Sequence, residues 1–116
     1  MNAITKPAES NIDRAIDDAE RLFVEAGQAK VKAEEMDHRR KRVRATLFVK
    51  YKAEGNAAGA SEQMAEADPV YELALNDWAA AAMEAETLRA RAEAKRMKFE
   101  AWRTANATAR AQMNLR

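Results

Sequence analysis

Few residues of this 116-residue chain can do chemistry. One histidine and no cysteine exclude disulfides, thiolate metal sites and cysteine nucleophiles, and leave almost nothing from which to build a catalytic triad. No Gly-rich phosphate loop is present. The one spacing suited to a metal is Glu35-x-x-His38, with Glu84 and Glu86 at about the same height on a facing helix. A Glu-x-x-His from each of two subunits, met by facing glutamates, is how di-iron bundles are built. Here the pattern stands next to Arg39 and Arg40 and off the apolar seam traced below, and neighbouring cations oppose a dication. Glu35, His38 and Glu86 are therefore expected on a solvated face, with no metal, no cofactor and no enzyme.

A second stretch raises a question of binding. "DHRRKRVRATLFVKYK" places seven lysines and arginines in residues 39–52 without one acid. Arg39, Lys41, Arg42, Arg44 and Lys50 are candidates for contact with phosphate or with an acidic protein surface, and Arg89, Arg91, Arg96 and Lys98 form a second basic cluster. The competing expectation is a wall of solvated charge. Glu62, Glu66, Asp68, Glu72 and Asp77 would neutralise part of it, and the formal net charge is only +1. No helix-turn-helix, zinc finger or stacking platform is visible, so sequence-specific base readout is not expected.

The elements that must carry these residues are helices. Twenty-eight alanines, abundant charge, three glycines and two prolines are the composition of long helices and coiled coils. Turn signals cluster in the N-terminal segment holding Pro7 and in residues 54–69. The reading is a disordered tail over 1–9, helix 1 over about 10–54, a connection over 55–69 and helix 2 over about 70–113. Ser10 or Asn11 is the expected cap of the first helix, Gly55 its stop, and Asp68 before Pro69 the start of the last. A short turn over 61–67 is expected within the connection. The first ten residues lack a signal-peptide core, and no apolar run approaches a membrane span, so a cytoplasmic protein is expected.

Two apolar lines at steps of three and four fit each other antiparallel. Ile12, Ile16, Ala19, Phe23, Ala26, Ala29, Ala33, Met36, Arg40, Val43, Leu47 and Tyr51 run along helix 1. Tyr71, Leu75, Trp78, Ala82, Ala85, Leu88, Ala92, Lys95, Phe99, Trp102, Asn106 and Ala109 run along helix 2. The register sets Tyr51 against Tyr71, Trp78 against Val43, Trp102 against Ala19 and Ile12 against Ala109, with Phe23, Trp78, Phe99 and Trp102 in the core. Residues 9–25 carry six acids and two bases, and residues 101–116 three arginines and no acid, which favours a hairpin. A second line, Ala80, Met83, Thr87, Ala90, Ala94, Met97 and Ala101, is made of small residues and methionine and suggests a further partner surface. The expected fold class is thus all-α, a long antiparallel helical hairpin that dimerises into a four-helix bundle.

Residues 61–110, through the acidic lead-in to Val70-Tyr71, the Ala/Glu/Arg helix and "FEAWRT" at Phe99 to Thr104, resemble small all-helical bacteriophage and prophage proteins of DNA-recombination or counter-defence modules. That resemblance implies a protein acting through its surfaces on a protein of DNA metabolism or host defence, and it transfers no site residue. The functional expectation is such an interaction protein, with a non-specific nucleic-acid-binding accessory or a structural coiled-coil spacer as alternatives. Neither a membrane nor a small-molecule substrate is expected as a partner.

Overall fold

The computed structural model describes residues 7–115, and from residue 11 onward their side chains. They form three helices, α1 (Pro7–Ala53), α2 (Ala58–Ala67) and α3 (Pro69–Asn114), with no strand among the described residues. The fold is all-α. The chain divides into two units: residues 27–86, and the described residues up to Ala26 together with those from Thr87 on. Each unit sets a stretch of α1 against a stretch of α3 running the opposite way. No helix of the described residues is long and apolar enough to cross a membrane.

Helix boundaries follow local chemistry. α1 starts at Pro7, whose missing N–H costs nothing at a first helical position. Ser10 and Asn11 therefore lie inside the helix rather than at its start; of the expected 1–9 tail, residues 1–6 lie outside the described residues. At the other end Gly55 takes φ +97°, where an L side chain is strained. The Gly55 N–H donates to the Lys52 carbonyl at 3.1 Å and the Asn56 N–H to the Tyr51 carbonyl at 3.4 Å. This pair of bonds is the Schellman arrangement that satisfies a helix's last carbonyls. The Asn56 amide adds a second bond to the Tyr51 carbonyl at 2.9 Å.

Within the 55–69 connection, residues 58–67 form α2, a fuller helix than a turn over 61–67. Its fully buried positions are Ser61 and Ala65, small enough for the helix to lie close against its neighbours. Asp68 ends α2 in extended backbone, as a residue before proline must be, and caps α3: its carboxylate accepts from the Val70 N–H at 2.8 Å.

The core of the 27–86 unit is Leu47, Ala65 and Tyr71, with Val43, Phe48, Tyr51 and Leu75 packed on it. This corrects the expected register. Tyr71 shares the core with Leu47 as well as Tyr51 and accepts a hydrogen bond from Arg40, and Trp78 lies under Arg40, one position along the α1 line from Val43. The slip is about one helical turn. Its cause is local: Asp68, at the junction of α2 and α3, accepts from the Tyr51 hydroxyl at 2.5 Å and so takes the place assigned to Tyr71.

In the other unit Ile12 and Ala15 share a hollow with Phe99 and Trp102. Ala92 is buried there, but Phe23 and Trp102 are each 44% exposed, so neither is a core residue as expected. No ion pair among the described residues joins the acids of 11–25 to the arginines after 101; Asp18 pairs with Arg21 on its own helix. The second line of α3, Ala80 to Ala101, is exposed throughout.

Candidate interaction surfaces

The basic run of α1 separates into three kinds of residue. Arg40 is structural. Its guanidinium donates to the Tyr71 hydroxyl at 3.1 Å and to Asp37 at 2.6 Å, and lies 4.7 Å from the centre of the Trp78 ring. Hydrogen bonds from Arg40 and then Lys41 hold the Asp37 carboxyl below the usual carboxylate range. Arg40 Nε is buried without a partner, a small desolvation cost set against three favourable contacts.

Arg44 is neutralised, and Lys41 shares the single carboxylate of Asp37 with Arg40. Lys41 lies 3.2 Å from Asp37, and Arg44 reaches Glu66 of α2 with Nε at 3.1 Å and Nη2 at 2.7 Å. The acids expected to lie opposite the run thus contribute one pair across the bend. Exposed pairs of this kind contribute about 0–1 kcal/mol, so their effect is to cancel charge rather than to stabilise. Lys50 sits 5.3 Å from the Tyr51 ring centre.

Arg39 and Arg42 remain. Both are exposed and neither has an ion pair among the described residues. They rim a hollow of about 220 Å³ whose floor is Val43, Thr46, Leu47 and Val70. Cations beside apolar wall suit an acidic surface that also carries apolar side chains.

The second cluster divides as well. Arg96 is held by Glu93 at 2.9 Å and by Glu100 at 2.9 Å, bonds that keep its guanidinium charged. Arg89 has a contact of its own. Arg91, Lys95 and Lys98 recur at steps of four and three and form no ion pair among the described residues. On the same line follows Trp102, which stacks with Phe99 at a centroid distance of 6.0 Å and an interplanar angle of 24°. Phe99 and Trp102, read from the sequence as separate core positions, thus form an aromatic pair on one helix. Its signal was Lys95, Lys98, Phe99 and Trp102 at helical spacing.

Glu35 and His38 are exposed on α1. Glu86 is exposed on α3 and makes a contact there, and among the described residues no three His, Cys, Asp or Glu side chains come together to hold a metal ion. No family model matches the chain, and neither a curated protein nor a solved structure does.

Proposed function

We propose that the chain is a non-enzymatic helical interaction protein, which dimerises toward a four-helix bundle and binds and modulates a protein of DNA metabolism or host defence. The observation that carries this reading is unfinished burial. Among the described residues the buried apolar positions are Leu47, Tyr71 and four alanines, while Val24, Val31, Val49, Leu73, Met83 and Met97 are each more than half exposed. Surface of this kind is completed by another chain. Arg39 and Arg42, beside Val43 and Val70, are the contact assigned to an acidic partner surface. The resemblance of residues 61–110 to phage recombination and counter-defence proteins supports the class of partner.

A second reading, a non-specific nucleic-acid accessory, draws on the same unpaired Arg39 and Arg42. Titration with single- and double-stranded DNA across a salt series separates the two, with wild type beside Arg39→Glu/Arg42→Glu. The leading reading expects no DNA binding that depends on these arginines. Micromolar binding that falls steeply with salt and vanishes in the double variant transfers the assignment to the second reading.

A further inference from the structure

The hollow between the start of α1 and the second half of α3, inside the unit those stretches form, differs in kind from the basic run. Its volume is about 420 Å³, within the roughly 300–1,000 Å³ of small-molecule sites. Ile12, Ala15, Phe99 and Trp102 supply apolar wall, Lys95 and Lys98 supply charge, and no acid lines it. Trp102 is 44% exposed while stacked on Phe99. The two lysines have no carboxylate partner among the described residues. Lys95 also lines a neighbouring hollow with Asp18 and Glu25, which leaves Lys98 the less compensated cation.

We propose that this hollow binds a planar aromatic anion of the nucleotide class, its base against the Trp102–Phe99 surface and its phosphate on Lys98 and Lys95. Stacking accepts any base, since every base has a π-face, and ammonium groups serve as mobile point charges for phosphate. A free nucleotide and a nucleotide within a single strand present the same chemistry. Duplex DNA, whose bases are already stacked, does not. The site uses neither Arg39 nor Arg42, so it stands apart from the protein-partner reading and each can fail alone.

The test titrates thymidine monophosphate and a short oligothymidylate into the full chain at low salt, with calorimetry for affinity and tryptophan emission for contact. Binding with quenching is expected for the oligomer. Binding of the monophosphate as well identifies a free-nucleotide site, and binding of the oligomer alone a strand site; either supports the proposal. Trp102→Leu keeps the apolar bulk and removes the indole, and is expected to weaken binding about fivefold or more. Lys98→Glu is expected to weaken it further. Circular dichroism checks that each variant keeps its helices. The proposal is overturned if neither ligand binds the folded chain, or if Trp102→Leu and Lys98→Glu leave the affinity alone. Decanoate binding as tightly as the oligomer would also overturn it, because the walls would then be selecting an alkyl chain and not a base.

Discussion

Arg40 is where the apolar seam and the basic run coincide. Its position on the seam was legible from steps of three and four, but Tyr71 and Trp78 were not legible as its partners, because they come from a helix 31 or more residues further on. Once on the seam, the guanidinium must find acceptors and a π-face, and Asp37, Tyr71 and Trp78 provide them. Lysine cannot reproduce that planar fork. Arg40→Lys is expected to lower unfolding free energy by about 1–3 kcal/mol, read from urea denaturation, with helix content unchanged. The Tyr51–Asp68 bond makes a pH prediction. Bonds from Tyr51 and the Val70 N–H hold Asp68 below the ordinary carboxyl value of 3.8, and the bond to Asp68 raises Tyr51 above its ordinary 10.0. A depressed acid contributes stability that is lost as pH falls below 3.8 toward the lowered value, and Asp37 adds to the same limb. A raised phenol contributes stability that is lost as pH rises above 10.0. Thermal unfolding across pH should thus decline at both extremes in the wild type and more gently at both in Tyr51→Phe.

At the scale of elements, the stop at Gly55 and the start at Asp68-Pro69 were readable because each depends on one residue's own backbone preference. The register was not, because an alanine-rich seam packs almost equally well when slid by one turn. Polar contacts decide it: Tyr51 with Asp68, Arg40 with Trp78. The start of α1 was missed because Ser10 and Asn11 resemble caps, whereas Pro7 already suits a first turn. Two glycines should respond oppositely to alanine. Gly55→Ala places a Cβ at φ +97° and is expected to cost about 1–2 kcal/mol. Gly27→Ala, inside α1 with nothing within 4 Å of the new Cβ, is expected to add about 0.5–1 kcal/mol. Parallel urea unfolding of the two variants checks both signs, and a loss at Gly27 would mean that its open face is occupied by another chain.

At the scale of the molecule, the sequence made helix pairing legible through its two seams, and the exposed second line on α3 through its small residues and methionines. It could not show how little each pair would bury. Alanine dominates both seams, so even well-formed layers remove little apolar area from water, and Val31, Val49, Met83 and Met97 stay exposed. A chain so built is expected to complete its burial against a second copy before it meets any other partner. The measurement that bears most directly on this is mass in solution by sedimentation equilibrium over a micromolar concentration range. A dimer of about 26 kDa, twice the 13.0 kDa chain, is predicted. A fully helical monomer of 13.0 kDa throughout that range would contradict it.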